Sequence, residues 1–386
     1  MSGLTPEGCR DRRARLWSAL PQEVQWLLVA DPRHVYYLAN LLVNPLSFSA
    51  GERAWLLLLR EGFSTLLADN FTRRASATVP GVDEEITESF YDHKHSVANR
   101  DELLIAALAR VVPRLRGLPG LYEDDWVPGS AVGLLAGADA SAAARSASIR
   151  LGSLLRRLRR NKHADELDLL KSAMAAGAAG HARALVAARP GITEFELYCQ
   201  IEAAVLEAAA RPVQIYGDFR ATNAATPKRG GLPSHAPLGA GDLYLLDYSV
   251  VIDGYRSDIT NTVSVGVPSA AQRALFDACQ QALAAGEASI RPGARAAEVY
   301  RAIAGALAAS PHAATFSHHA GHGIGLAHPE PPILVPQSED VLEEGDVITL
   351  EPGLYAPGVG GLRLEHNYLV VEGGCQRLSQ HELRLC

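Results

Sequence analysis

Residues 241–265, GDLYLLDYSVVIDGYRSDITNTVSV, constrain this chain more than any other stretch. They read as two strands joined at Asp253-Gly254, the dipeptide that best supplies the two positive φ angles of a two-residue hairpin turn. With those residues as the loop, Ile252 faces Tyr255, Ser249 faces Asp258 and Asp247 faces Thr260. Alternation along each strand then puts Asp247, Ser249, Asp258 and Thr260 on one face. Asp247 and Asp258 become diagonal neighbours, about 7–8 Å apart at the backbone. Carboxylates that close repel unless positive charge lies between them, and one divalent cation or a pair supplies it. A solvated hairpin with scattered surface acids is the plain alternative, but the apolar run LYLLDYSVVI argues for burial.

At 386 residues the chain has room for two domains. Its 48% hydrophobic and 20% charged residues fit a globular protein and exclude disorder. A net charge of −7 gives no electrostatic case for nucleic acid, and Arg156, Arg157, Arg159 and Arg160 read as a local basic face before a helix. Cys9, Cys199, Cys279, Cys375 and Cys386 are odd in number and far apart. They are expected to be free thiols in a reducing compartment rather than a disulfide frame or zinc knuckle. The first twenty residues lack the apolar core of a signal peptide, and the run at 55–59 is too short to span a bilayer. A cytoplasmic protein with no membrane partner is the expectation.

Residues 1–155 read as a smaller mixed α/β domain and 156–386 as a second one. In the first, VQWLLVADPRHVYYLAN gives a strand, a turn and a short helix or strand; a hairpin follows around Glu61-Gly62; LLIAALARVVPRL is an amphipathic helix ending near Pro113. His93 and His95 lack a carboxylate at ligand spacing and read as loop. LLAGADASAAARSAS reads either as a helix packed on the first domain or as a linker. The second domain opens on a long Ala-rich helix with Leu167, Leu170, Met174 and Leu185 on one stripe, stopped at Pro190-Gly191. Thr193 and Glu196 form a capping box for the next helix, which carries Leu197, Ile201, Val205 and Leu206. The layout of helix, Arg-Pro-Gly stop and helix recurs over 272–308, hinting at two similar halves.

Three later stretches carry chemistry. FSHHAGHGIGLAHPEPP holds His318, His319, His322 and His328 among glycines that allow close approach. Glu351 ends the apolar run DVITLE just before Pro352-Gly353, at the mouth of a sheet. In GGLRLEHNYLVV, Arg363 and Glu365 share a face. Two Asp, two Glu and one His make a mostly oxygen donor set, which suits a pair of Mn, Co, Fe or Zn ions better than a closed structural zinc. Two such ions about 3.5–4 Å apart would bridge a water, lower its pKa and polarise a carbonyl. Hydrolysis of an amide or related bond is the expected reaction.

LYLLDYSVVIDGYRSDIT, GHGIGL, TLEPGLY and GLRLE, in that order, resemble the metal-binding motifs of the pita-bread metallopeptidases. That family includes prolidase, aminopeptidase P and methionine aminopeptidase, with creatinase as a non-metal relative. KHADELDLLKSA and RPGITEFELYCQIEAA are similar to the helical entry of the same domain, and DPRHVYYLAN is the clearest echo of the N-terminal domain of the prolidase and creatinase branch. The resemblance implies an α+β chain in which a C-terminal pita-bread domain follows a smaller N-terminal mixed α/β domain. It also implies that Asp247 chelates one metal ion, that Asp258 and Glu365 bridge two, and that His322 and Glu351 hold the second. Glu351 would also carry the proton from the nucleophilic water to the leaving nitrogen. His318 takes a substrate-side position, and Arg363 is the arginine of a GxRxE motif and a candidate anchor for a substrate carboxylate. The implied activity is metal-dependent exopeptidase cleavage before proline in short peptides, as an Xaa-Pro dipeptidase or aminopeptidase, in a homodimer.

The chain also departs from the family pattern. The second histidine, seven residues after the metal histidine, is replaced by Pro329, with His328 one residue early. Either a contraction lets His328 reach the same spot, or that contact is lost. Counting back eighteen residues from Asp247 to a further family histidine lands on Arg229, and His235 is twelve before; Asn261 stands where the prolidase branch often has arginine. These changes motivate an alternative: the same metal site turned to a non-peptide substrate, as a C–N bond hydrolase or lyase. A non-catalytic binding module is opposed by the presence of all five ligand candidates.

Overall fold

A computed structural model describes residues 3–43, 53–94, 96, 97 and 99–386; His95 lies outside the described residues. The chain divides into two compact units, Met1–Arg159 and Arg160–Cys386.

The first unit is built on a mixed sheet of β1 (Trp26–Val29), β2 (Ala54–Leu59), β3 (Ser64–Asp69), β4 (Glu84–Glu88) and β5 (Gly120–Tyr122), in the order β4-β3-β2-β1-β5. The β2–β3 hairpin turns at Gly62, whose φ of 100° favours glycine. The stretch after β1 resolves into a helix, Pro32–Ala39, with Asp31 as its N-cap. Trp26, Trp55, Leu104 and Leu108 centre the core, and the small-residue stretch forms the helices Gly129–Ala138 and Ala142–Ile149. Asp31, His34 and Glu123 are wholly buried together. Glu123 Oε2 accepts from the Ala30 and Asp31 amides at 2.9 and 2.8 Å, its Oε1 meets His34 Nδ1, and Arg33 takes Asp31. This network ties the end of β1 to the start of the helix.

The second unit begins with the helices Ala164–Ala187 and Glu194–Ala209, the latter opened by the Thr193–Glu196 capping box. Its first sheet holds β6 (Gln214–Thr222), β7 (Leu243–Ile252), β8 (Tyr255–Arg256) and β9 (Ile259–Ser264). The hairpin has the register read from its sequence: Ile252 pairs with Tyr255 and Asp247 with Thr260. Asp253 and Gly254 both have positive φ, 46° and 81°. The outgoing strand breaks at Ser257-Asp258, where the Ser257 hydroxyl accepts from the Val250 amide at 3.0 Å. After the helices Ala270–Ser289 and Ala296–Leu307 come β10 (Gly321–Gly323), β11 (Glu330–Leu334), β12 (Val347–Leu350), β13 (Gly353–Ala356), β14 (Gly360–Arg363), β15 (His366–Val371) and β16 (Gly374–Arg377). Five of these form the sheet β11-β10-β12-β15-β16, and β13 pairs with β14.

The two halves of this unit do repeat. Gly191 and Gly293 both take positive φ after Arg-Pro, and each amide bonds a carbonyl just ahead of a later strand: Leu238 before β7 at 2.9 Å, Leu342 before β12 at 2.8 Å. Leu-Gly-Ala-Gly-Asp and Leu-Glu-Glu-Gly-Asp then lead into β7 and β12, and five residues beyond each Asp lie Asp247 and Glu351. The buried face of Ala164–Ala187 mixes Leu169, Leu170 and Met174 with the small Ala173, Ala176, Gly177, Gly180 and Ala184, whereas Leu167 and Leu185 are only half-buried. Gly177 and Gly180 stand where the helix lies close to the sheet. A Cβ on Gly180 would sit 2.3 Å from the Tyr248 hydroxyl, and one on Gly177 would sit 2.6 Å from Ile259. Leu206 is likewise exposed on its helix. Arg160 is no solvated basic face: it makes a buried two-pronged pair with Asp346, at 2.9 and 2.7 Å. All five cysteines are free thiols. No helix among the described residues is long and apolar enough to cross a membrane.

Behind β9 three buried imidazoles from distant segments form a column. His181 stacks on Tyr248 at 4.9 Å and lies 4.8 Å from His381, which lies 4.6 Å from His366. His181 and His381 bond the Ile259 and Thr260 carbonyls at 3.2 and 3.3 Å. Burial pushes His381 down to about 4 and His366 to about 2, and holds His181 well below its ordinary range. These imidazoles therefore refuse protons in the folded protein that the unfolded chain accepts from about pH 6.5 downward, so the column's contribution to stability is full above that pH and is lost as pH falls toward 4. Thermal melts of the metal-free protein should show this decline, and His381→Phe should flatten the slope between pH 6.5 and 4. An unchanged slope would contradict the assignment.

Candidate active site

Six chain segments converge on a cleft of about 310 Å³ lined by Asp218, Asp247, Asp258, His322, Glu351 and Arg363 among others. Asp247 stands in β7, opposite Asp218 of β6. Asp258 projects from the break between β8 and β9, His322 is the middle residue of β10, Glu351 follows β12, and Glu365 lies between β14 and β15. The five ligand candidates are thus brought together. Donor atoms of Asp247, Asp258 and Glu365 lie within 4.8 Å of one another. His322 Nε2 is 3.3 Å from Asp258 Oδ2 and 3.5 Å from Glu351 Oε1.

Local structure aims these groups. Gly321 has a φ of 152°, and a Cβ there would lie 2.0 Å from the Thr349 carbonyl oxygen, so only glycine lets β10 lie this close to β12. His322 Nδ1 is 3.0 Å from the Gly323 carbonyl, a bond that fixes the proton on Nδ1 and turns Nε2 toward the acids. The Thr260 hydroxyl donates to Glu365 Oε2 at 2.6 Å, while the buried Glu365 Oε1 has no hydrogen-bond partner.

His328 Nε2 lies 2.7 Å from Asp258 Oδ2, with its ring 4.9 Å from that of His322. His319 Nδ1 is 3.2 Å from Glu351 Oε1, and His318 stands 4.0 Å from the other oxygen and 3.1 Å from the Tyr355 hydroxyl. Arg363 bonds Asp247 directly. His235 is exposed against Phe195 and Arg229 is exposed, and neither lines the cleft. Lys228 of the same loop does approach, bonding Ser317 at 2.9 Å and lying 5.3 Å from the Tyr355 ring. Asn261 is buried and holds the Arg384 carbonyl at 2.9 Å, a structural contact.

Sequence reasoning missed Asp218 and Tyr216, both of which line the cleft. The signal was the alternation in QIYGDFRAT, which puts both side chains on one strand face.

Electrostatics marks the centre as short of positive charge. Burial, with Asp258 and Glu351 nearby, pushes Asp247 up to about 7 against the pull of Arg363. Burial, then Asp258, Glu351 and Asp247, raises Glu365 well above the carboxylate range. Burial also opposes ionisation of Asp258, but hydrogen bonds from His322 and His328 outweigh it and hold the carboxyl low. Burial would lower His322, yet Asp258 and Glu351 raise it to about 9. Protons and imidazolium occupy positions that divalent cations would neutralise better. The orphaned Glu365 oxygen, the oxygen-rich donor set and the aimed Nε2 all fit divalent ions.

The chain is 31% identical over 227 residues to the putative dipeptidase YkvY of Bacillus subtilis, covering 59% of this chain and 62% of that one. It is 36% identical over 155 residues to the Xaa-Pro dipeptidase of Pyrococcus horikoshii, covering 40% and 44%. These matches span about three fifths or less of the relatives' own lengths. Among solved structures, an Xaa-Pro dipeptidase from Bacillus anthracis superposes with a TM-score of 0.75 at 23% identity, covering 98% of this chain and 99% of that one. That likeness establishes the α+β fold, a pita-bread domain with a smaller N-terminal domain. The sequence profile of metallopeptidase family M24 matches residues 168–372, more than half of the chain and every converging ligand candidate, and the chain belongs to that family.

Proposed function

We propose that this chain is a dinuclear metal-dependent exopeptidase that hydrolyses the amide bond before proline in short peptides, as an Xaa-Pro dipeptidase or aminopeptidase. The observation that carries this is the convergence of Asp247, Asp258, His322 and Glu351 on one cleft, with Glu365 beside Asp247 and Asp258 and one of its carboxylate oxygens unpartnered. In this proposal Asp247 would hold one ion, His322 and Glu351 would hold the other, and Asp258 and Glu365 would serve both. Manganese, cobalt, zinc and iron all suit such donors. When bound, two divalent ions supply a water of lowered pKa and a Lewis acid for the carbonyl.

The chain's own groups do the rest. Glu351 is flanked by His319 and His322 and takes up the proton at its carboxylate, then returns it to the leaving nitrogen. His318, its ring held by the His319 carbonyl at 2.7 Å and the Tyr355 hydroxyl, orients the substrate on one flank. His328 stands on the other and donates to the developing oxyanion. Its 2.7 Å approach to Asp258 supports the one-residue contraction and favours a peptide substrate over a repurposed site. Arg363 anchors a substrate carboxylate. The free thiols support a cytoplasmic setting, and the family resemblance supports a homodimer.

A product profile on Ala-Pro, Leu-Pro and Ala-Pro-Ala with added Mn or Co tests this. Amino-acid release from the dipeptides alone marks a dipeptidase, and release from the tripeptide an aminopeptidase. A metal-loaded protein that cleaves none of the three contradicts the proposal. Asp258→Asn and Glu365→Gln should each lose both metal, by elemental analysis after dialysis, and turnover, since each removes an anion shared by both ions. His328→Ala should keep its metal and lose about 100-fold in kcat; unchanged kcat would show that this imidazole has no catalytic role.

A further inference from the structure

Asp218 and Asp247 face each other across β6 and β7, and the Arg363 guanidinium stands between them. Its Nη2 bonds Asp247 Oδ2 and lies 3.5 Å from Asp218 Oδ2. Asp247 belongs to a group of donors that converge for a cation, whereas Asp218 belongs to none of those groups among the described residues. A guanidinium cannot shed its charge, so it and a divalent cation compete for the Asp247 carboxylate. Arg363 is largely buried, its side chain only 13% exposed, and its Nε has no hydrogen-bond partner. Driving it off Asp247 with nowhere to go would strand a buried charge.

Asp218 is built to receive it. Its Oδ1 is fixed by the Gly231 amide at 2.6 Å. The Gly230 backbone passes so close to this carboxylate that a Cβ there would lie 2.7 Å from Oδ2. Oδ2 stays turned toward the guanidinium.

We propose that Asp218 is the seat to which Arg363 transfers when Asp247 takes up a cation. It is a positioning residue that relieves the competition between the arginine and the metal. This rests on the proposal that Asp247 holds a cation, and on nothing about the reaction catalysed.

Calorimetric titration of the full chain with Mn tests it without any peptide. Asp218→Asn keeps the acceptor for Gly231, and Asp218→Ser removes the charge by a different shape; each is measured with Arg363 present and in combination with Arg363→Met. With Arg363 present, either change should weaken the Kd for Mn about tenfold. In the Arg363→Met background the same change should cost less than about twofold. An unchanged Kd with Arg363 present overturns the proposal. So does an equal loss in both backgrounds, which would mean that Asp218 acts on the cation through its charge alone. Peptide turnover of the unaltered protein, measured separately, decides the reaction; the Mn titration decides the seat.

Discussion

Asp247, Asp258 and Glu365, with donor atoms within 4.8 Å of one another and Glu351 reached through His322, cannot all stay ionised without compensation. Every other feature of the second unit answers to that constraint. Arg363 bonds Asp247, and the cluster pushes the Asp247, Glu365 and His322 ionisations upward, the direction expected where negative charge is in excess. A site in that condition is ready to bind divalent cations, because loading replaces makeshift neutralisation with ions that match the donors. Metal affinity, proton uptake and the position of Arg363 are therefore linked.

The scaffold serves this site through close backbone approach. Gly177 and Gly180 let a long helix lie against Ile259 and Tyr248, and Gly321 lets β10 lie against β12. The halves of the unit repeat a glycine-stopped helix pair and a Gly-Asp lead-in to a strand, and five residues beyond each lead-in Asp stand Asp247, within β7, and Glu351, just after β12.

Much of this was legible in the sequence because the decisive information is local. Asp-Gly at 253–254 fixes the register of the hairpin by itself, and alternation then fixes which side chains share a face. What stayed hidden depends on pairing between distant segments. Asp218 is placed opposite Asp247 only once β6 has found β7. Arg160 looks like a surface cation until Asp346, 186 residues away, closes on it. The helix stripe was read from its large apolar residues, of which Leu170 and Met174 are buried; the close contact with the sheet is made through Gly177 and Gly180, which that reading passed over. The column of His181, His366 and His381 draws on three segments with no shared motif.

Counting bound ions by anomalous diffraction from crystals of the protein soaked in Mn tests the central claim most directly. Two peaks are expected, with Asp258 and Glu365 reaching both, Asp247 on one and His322 and Glu351 on the other. An absence of peaks among these side chains at saturating Mn would contradict the account.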